Sequence, residues 1–155
     1  MFEKIKNWLT TNAVTFREVH HEPTKTSEES AKARGEELKT GGKALILKVD
    51  DTFKIFILSA ARKLDSGAIK TRFNSKKIRF ATPEELMTLT GLVPGSVPPF
   101  GRPIIELDLY VDQSIVNNEK IAFNAGSLTD SIVMSVKDYL TIARSEIFDF
   151  SVEAE

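Results

Sequence analysis

Apolar residues recur along this chain with two spacings, one typical of helices and one typical of strands. Near the start, Phe2, Ile5 and Leu9 lie three to four positions apart. Residues 2–11 are therefore predicted to form an amphipathic helix. Helical spacing and helix-boundary residues predict further helices over residues 27–34, 64–73, 83–90 and 136–143.

Short apolar runs and alternating patterns predict the strands. Residues 43–49 and 53–58 flank the turn Asp50-Asp51-Thr52, so they are predicted to pair as a hairpin. The other predicted strands cover residues 14–19, 78–80, 104–111, 121–123 and 132–134. Strands and helices are mixed without strict alternation, which favours the α+β class. We expect one domain over residues 1–155, with a curved, mixed and partly barrel-like sheet surrounded by helices.

Two predicted helices begin with residues that can cap them. In Thr26-Ser27-Glu28-Glu29 the threonine hydroxyl can accept from the amide of Glu29, and the carboxylate can reach back. Thr82-Pro83-Glu84-Glu85 has the same pattern with proline at the first helical position. Gly35 and Gly91 are predicted to end these helices.

Composition sets the protein class. The chain has 155 residues, 41% hydrophobic and 28% charged, which is ordinary for a soluble domain and long enough to bury a core. It has no cysteine, which excludes disulfides and thiol chemistry. No apolar run approaches the roughly 20 residues of a membrane span, and the first residues lack a signal-peptide core. We therefore expect a cytoplasmic protein with no membrane partner.

Charge is spread unevenly along the chain. The formal net charge of −1 excludes a protein that binds nucleic acid as a polycation overall. Five basic residues nevertheless lie within ten positions. They could form a local patch that contacts phosphates or simply a solvated surface. These residues are Lys70, Arg72, Lys76, Lys77 and Arg79.

Lys43 is the first candidate functional residue. It follows Gly41-Gly42 and precedes the apolar run Ala44–Leu47. Its ammonium is therefore expected at the mouth of a buried strand, half desolvated. There it could bind an anionic or polar ligand or stabilise an oxyanion. The alternative is a strand-end lysine whose side chain extends into water.

Two loops could complete a site around such a lysine. Residues 92–103 are rich in glycine, which lets a backbone approach a ligand, and in proline, which removes freedom in advance. This loop is not a P-loop, because no Gly-Lys-Ser/Thr follows; it could also be a stiff connector. Residues 123–127 end a strand in small polar residues, which form either a second pocket wall or a turn. In the first case the amide of Asn124 could donate and accept hydrogen bonds.

Metal and nucleophile sites find little support. His20 and His21 are adjacent on an extended segment and face opposite ways, so they make a poor metal pair. We expect no metal, and interpret His21 as a structural or pocket-rim residue. Gly-x-Ser-x-Gly, the motif of a serine nucleophile, does not surround any of the candidate serines Ser59, Ser96 and Ser127.

In order and spacing, these motifs resemble the YbaK/EbsC family, free-standing relatives of the editing domain inserted in bacterial prolyl-tRNA synthetases. The resemblance extends from about Val19 to Leu140. The segments that carry it are His21-Glu22-Pro23 with Thr26, Gly42–Leu47, Ala81–Leu86, Thr90-Gly91, Gly95–Gly101 and Asn124-Ala125-Gly126.

The resemblance implies an aminoacyl-tRNA deacylase that acts in trans on mischarged tRNA without a cofactor. The expected substrate is a small amino acid such as alanine or cysteine on the tRNA for proline. A synthetase or an elongation factor is a further candidate partner. Lys43 matches the family's essential lysine, and position 124 bears on which amino acid is accepted. The implied substrate-binding residues are Gly95, Ser96, Val97, Pro98, Pro99, Gly101, Asn124, Gly126, Thr26 and His21.

The chemistry implied is hydrolysis by a positioned water, with no side-chain nucleophile. Lys43 would hold the ribose or phosphate region of the terminal adenosine. Backbone groups of Gly95–Pro99 would polarise the ester carbonyl. Two other functions stay open at this point: a non-catalytic module that binds an aminoacyl or nucleotide group, and an interaction domain that serves a synthetase complex through its first or last helix.

Overall fold

The computed structural model describes residues 1–24 and 26–154, and within them the chain forms six α-helices and ten strands. The helices are α1 (Phe2–Thr11), α2 (Ser27–Arg34), α3 (Ser66–Phe73), α4 (Pro83–Thr90), α5 (Gln113–Val116) and α6 (Val136–Ala143). The strands are β1 (Phe16–His20), β2 (Gly42–Val49), β3 (Thr52–Ser59), β4 (Arg62–Leu64), β5 (Ile78–Phe80), β6 (Asp108–Val111), β7 (Lys120–Asn124), β8 (Asp130–Ser135), β9 (Glu146–Ile147) and β10 (Ser151–Glu153).

The largest sheet has the strand order β5-β2-β3-β6-β9. β2 and β3 pair as the predicted antiparallel hairpin, and β5 joins β2 antiparallel. β6 and β9 add in parallel, so the sheet is mixed. This arrangement confirms the predicted α+β class.

Two smaller sheets complete the described part of the chain. β1, β8 and β7 form an antiparallel sheet in that order, and β10 pairs with β4. A bridge between Gly41 and Ala122 brings β7 beside the start of β2. Because the strands fall into three sheets, partial barrel closure remains a prediction.

The core lies on both faces of the central strand β3. Ile55 and Ile57 belong to one cluster, together with Leu9 of α1, whereas Phe56 and Leu58 belong to a second. Side chains alternate between the faces of a strand, so a strand covered on both sides is apolar throughout. None of the helices in residues 1–24 and 26–154 has the length and apolar character needed to span a bilayer.

The predicted helix starts are confirmed. Thr26 accepts from the amide of Glu29 at 3.1 Å. At α4 the exchange is reciprocal, with the Glu85 amide donating to the Thr82 hydroxyl at 3.1 Å and the Thr82 amide donating to the Glu85 carboxylate at 2.9 Å. Gly91 ends α4 with φ +73°, in the left-handed region that favours glycine.

Three predicted boundaries are wrong for local reasons. Leu64 lies in β4 rather than in a helix, because Asp65 caps α3 by accepting from the Ala68 amide at 3.2 Å. Residues 104–107 form turns rather than a strand, with the amides of Ile104 and Ile105 donating to the Gly101 carbonyl. The first strand starts at Phe16 rather than at Val14, whose amide still bonds to the carbonyl of Leu9 at the end of α1.

The sequence analysis missed α5, β9 and β10, and a buried aspartate connects α5 to the segment around β10. The carboxylate of Asp112 accepts from the Ser114 amide at 3.0 Å, the Phe150 amide at 2.7 Å and the Ser151 hydroxyl at 2.6 Å. Burial alone would raise the pKa of Asp112, but these hydrogen bonds outweigh it and lower the pKa below its usual value. The C-terminal segment is thereby fastened to the main sheet.

Candidate active site

A cavity of about 460 Å³ lies beside the start of β2. Its walls come from α2, from the first half of β2, from the loop after α4 and from the end of β7. Five of the predicted site residues line it: Thr26, Lys43, Gly95, Val97 and Asn124. The structure therefore brings the strand-mouth lysine and the glycine- and proline-rich loop to one space.

Lys43 lines the cavity and is partly desolvated. Its side chain is half-buried, and its ammonium donates to the carbonyl of Arg62 at 2.9 Å. Burial lowers the pKa of Lys43, while the charge of Glu28 acts in the opposite direction. The ammonium has further N–H donors that can bind a ligand.

Two loop residues present backbone donors to the cavity. Gly95 has φ +86°, which a side chain would strain. Neither the amide of Gly95 nor that of Val97 has a hydrogen-bond acceptor among residues 1–24 and 26–154. Both residues line the cavity, so their N–H groups can donate to a bound oxygen.

The other four predicted residues of this loop are buried behind the cavity wall; they are Ser96, Pro98, Pro99 and Gly101. The hydroxyl of Ser96 donates to the Val93 carbonyl at 2.7 Å, and the carbonyl of Pro99 accepts from the Tyr139 hydroxyl at 2.7 Å. A Cβ atom at Gly101 would lie 2.7 Å from the carbonyl oxygen of Leu107. Ser96, Pro98, Pro99 and Gly101 thus shape the loop and do not line the cavity.

Gly126 and His21 also lie outside the cavity lining. Gly126 adopts φ +79°, packs against Met1 and donates its amide to the Ser96 carbonyl. The Nε2 atom of His21 lies 2.8 Å from the hydroxyl of Ser131, and its Nδ1 atom lies 2.8 Å from the Glu22 carbonyl. Both residues therefore reach the cavity lining through one intermediate, because Ser96 lies between Gly95 and Val97 in the chain and Ser131 bonds to Arg34 and Asn124.

Arg34 is a charged cavity residue that the sequence analysis missed. It is 8% exposed, and burial lowers its pKa to about 10, so it stays charged at neutral pH. Its Nη2 donates to Asn124 Oδ1 at 3.0 Å and its Nε donates to Ser131 Oγ at 2.9 Å. Spacing gave a signal: Ser27, Ser30 and Arg34 follow one another at three and four residues, on one face of α2.

Asn124 connects Arg34 to the loop. Its Nδ2 donates to the carbonyl of Gly95 at 2.7 Å, while its Oδ1 also accepts from Ser131 at 3.2 Å. These bonds use most of the amide's hydrogen-bonding capacity. Asn124 therefore fixes the position of Gly95 and has little capacity left for a ligand.

The basic cluster lies away from the cavity and divides into two kinds of residue. Arg79 donates to both carboxylate oxygens of Glu85, at 2.7 and 3.0 Å. Arg72 pairs with Glu146 at 3.1 Å. The cluster's three lysines border a separate depression with Lys48, Arg79 and two aspartates; they are Lys70, Lys76 and Lys77.

Metal ligands are not grouped in the part of the chain that the structure describes. No set of three or more His, Asp or Glu side chains there is placed to hold an ion. Metal-independent chemistry remains a prediction.

Comparison with known proteins places this site in a family. Residues 21–142 match the family described as aminoacyl-tRNA editing domain. One relative is the multifunctional Ser/Thr-tRNA deacylase ProXp-y of Escherichia coli strain K12. The two sequences are 34% identical over 148 residues, and the match covers 92% of this chain and 87% of that protein. A second relative is the prolyl-tRNA editing protein ProX of Acetoanaerobium sticklandii. Here the identity is 23% over 137 residues, and the match covers 85% of this chain and 84% of that protein.

A solved structure agrees with these relatives. It is described as a candidate trans-editing enzyme for prolyl tRNA synthetase, and it superposes with a TM-score of 0.85 at 25% identity, over 97% of this chain and 96% of that one. The chain therefore belongs to the aminoacyl-tRNA editing domain family of YbaK type, a family of trans-editing deacylases.

Proposed function

We propose that the protein hydrolyses, in trans, the ester that joins a wrong amino acid to tRNA. The observation that carries this proposal is the meeting of Lys43 with the acceptor-free amides of Gly95 and Val97 at one cavity. A cationic group and preorganised N–H donors in a partly desolvated site are the elements that stabilise an oxyanion.

The reaction needs one water and no side-chain nucleophile. Water attacks the ester carbonyl, and its oxygen becomes part of the tetrahedral intermediate. The amides of Gly95 and Val97 donate to the developing oxyanion. Collapse of the intermediate breaks the bond between the acyl carbon and the ribose oxygen. One proton of the water passes to the ribose oxygen and the other to solvent, so the amino acid leaves as a carboxylate. Lys43 binds the ribose or the neighbouring phosphate and so fixes the ester beside the amides.

The substrate amino acid is proposed to be small, with serine or threonine ahead of the predicted alanine and cysteine. Hydroxyl groups of Thr24, Thr26 and Ser30 and the guanidinium of Arg34 face the cavity. These groups have partners within the protein, since Thr24 and Ser30 bond to each other and Thr26 accepts from Glu29. Each hydroxyl keeps capacity for a further hydrogen bond, which a hydroxyl side chain can use and an apolar one cannot. A Ser/Thr-tRNA deacylase among the relatives supports this order. The tRNA for proline stays the predicted carrier.

The lysines of the basic cluster are proposed to contact the tRNA backbone. Lys70, Lys76 and Lys77 have no carboxylate partner within 4.0 Å among the described residues, in contrast to Arg72 and Arg79. Release of counterions from phosphates favours such contacts at low salt. Recruitment by a synthetase or an elongation factor remains an expectation.

A deacylation panel tests the proposal. The protein is incubated with excess tRNA for proline, alanine or threonine, each charged with serine, threonine, alanine or cysteine. We expect release of many equivalents of amino acid per protein. Release that stops at one equivalent or fewer would instead indicate a binding module.

A matched pair of variants tests the role of Lys43. We expect Lys43→Ala to lower kcat/KM by about 10²-fold, because the ester is no longer fixed beside the loop amides. Lys63→Ala removes an exposed lysine outside the cavity lining, next to the Arg62 carbonyl that binds Lys43. It is expected to retain full activity. Equal rates for the two variants would remove Lys43 from the mechanism.

A further inference from the structure

The outer edge of β2 is uncovered over a short stretch that borders the cavity. β5 pairs only with Leu47–Val49, and one more bond runs from the Ala81 amide to the Ile46 carbonyl. At the other end, Gly41 is bridged to Ala122 of β7. Between these two neighbours, no strand of the described chain pairs with the outer edge of residues 43–45.

The uncovered peptide groups belong to Ala44. The amide and carbonyl of one residue point to the same side of a strand, and those of the next residue point to the other side. The Ile46 carbonyl points away from β3, because it accepts from Ala81. Ile57, the partner of Ala44 on β3, directs its own carbonyl to the amide of Asp112. Ala44 and Ile57 are therefore a non-hydrogen-bonded pair, and the N–H and C=O of Ala44 both face outward.

These outward groups meet the cavity. Lys43, Ala44 and Leu45 all line it, as does Gly95 of the loop. No side chain of residues 1–24 and 26–154 hydrogen-bonds to the Ala44 peptide groups. A buried or half-buried peptide group normally has a partner, so the geometry leaves a place for one donor and one acceptor of a ligand.

We propose that this edge binds the main-chain atoms of the substrate amino acid. The Ala44 carbonyl accepts from the α-ammonium group, and the Ala44 amide donates to the ester carbonyl oxygen as a further oxyanion donor. The amino acid then adds to β2 as a single antiparallel residue, in the way that peptides add to exposed sheet edges. The proposal rests on the proposed function and names how its substrate is held.

The two bonds to Ala44 recognise the α-ammonium group and the ester carbonyl of the substrate but not its side chain. Every aminoacyl ester carries both groups at the spacing of one residue in a strand. Side-chain selection is then left to the other walls, including Thr26, Ser30 and Arg34. An ester that lacks the α-ammonium loses one of the two bonds whatever its side chain.

Nuclear magnetic resonance tests the proposal without turnover. The probe is 3′-deoxyadenosine carrying serine on a 3′-amide, which the protein binds but which resists hydrolysis. On binding, we expect the Ala44 amide proton to shift downfield and its exchange with solvent to slow at least tenfold. The analogue without the α-amino group is expected to bind at least tenfold more weakly. Binding that leaves the Ala44 amide unchanged, or that is indifferent to the amino group, would overturn the proposal.

A proline substitution gives a second, kinetic test. Ala44→Pro removes the outward N–H without removing a bond to β3, and proline is tolerated at such an edge position. We expect kcat/KM for seryl-tRNA to fall about 10²-fold, and at least tenfold further than for Ala44→Gly, which keeps the amide. Equal losses in the two variants would overturn the role of the donor. Failure of the proposed function would show differently, as a wild-type protein that releases no amino acid.

Discussion

Arg34 offers a sharp test of how the candidate site is held together. The change is Arg34→Met, which keeps an unbranched, flexible side chain but shortens it and removes its charge and donors. Arg34 is 8% exposed and donates to Asn124 Oδ1 at 3.0 Å and Ser131 Oγ at 2.9 Å. Through Asn124 it also fixes the carbonyl of Gly95. Its loss should therefore affect both stability and catalysis, to different extents.

The stability effect is a difference between two opposing terms. Two hydrogen bonds from a charged donor contribute about 1.5–3 kcal/mol each. Burial lowers the pKa of Arg34 from 12.5 to about 10, which corresponds to a desolvation cost of about 3 kcal/mol. Methionine loses the bonds but also avoids that cost, so we expect a net loss of about 1–2 kcal/mol. For a chain of this size, Tm falls by about 2–8 °C.

The catalytic effect is expected to be larger. Without Arg34, the Asn124 amide can turn and its bond to Gly95 is lost, so the loop amides move relative to the ester. A misplacement of about 1 Å can cost roughly 10²-fold in rate. We expect this loss mainly in kcat, because the groups that bind the tRNA are unaffected.

Single-turnover deacylation and thermal unfolding measure the two effects. Arg17→Met is the matched control, because Arg17 is exposed and bonds to Glu36 and to the backbone of Arg34. It should keep wild-type kcat. Arg34→Lys keeps the charge but not the planar fork, so it should recover part of the stability and remain at least tenfold slow. If Arg34→Met lowers Tm but leaves kcat at the wild-type value, the residue only stabilises the fold and the positioning argument is wrong.

Three further predictions follow from other parts of the structure. Asp112→Asn should lower the free energy of unfolding by about 2–4 kcal/mol, measured by denaturant titration. Because the pKa of Asp112 is lowered in the folded protein, the difference between wild type and variant should be constant above about pH 5. It should shrink as the pH falls through that lowered pKa. Charge reversal of Lys70 and Lys76 should weaken tRNA binding. The slope of the logarithm of the binding constant against the logarithm of salt concentration should become less steep by about one for each lost contact. A slope equal to that of the wild type would rule these contacts out. Gly42→Ala should destabilise the protein by about 1–3 kcal/mol, because the new Cβ would lie 2.7 Å from Cδ1 of Ile121. In the double variant, Ile121→Val should relieve part of that cost. Additive losses of stability from the two changes would exclude the clash.

The elements that sequence predicted well are those specified by local rules. The caps at Thr26 and Thr82 and the hairpin around Asp50-Asp51 depend on residues a few positions apart, and all three are confirmed. The strand-mouth position of Lys43 followed from the glycine pair before it and the apolar run after it. Such patterns constrain the backbone without help from the rest of the fold.

What sequence did not predict depends on distant contacts. The strand β10 exists because Asp112 binds the segment around Phe150 and Ser151, nearly forty positions later. Arg34 appeared to be an ordinary basic residue in the last turn of a helix. Its role comes from Asn124, 90 positions away, and no local pattern reports that pairing. The same holds for Arg72, which pairs with Glu146 across 74 positions. Arg79 differs, because its partner Glu85 lies only 6 positions along the chain.

The chemical groups proposed for this site come largely from the main chain. Amides of Gly95 and Val97 and the proposed groups of Ala44 require a backbone shape rather than a side chain. That shape depends on glycine at the positive φ of Gly95 and on the buried residues behind the loop. The ammonium of Lys43 then adds the positive charge that the backbone cannot supply. Hydroxyl-bearing side chains elsewhere around the cavity, Thr26 and Ser30 among them, are then proposed to set which amino acid is removed.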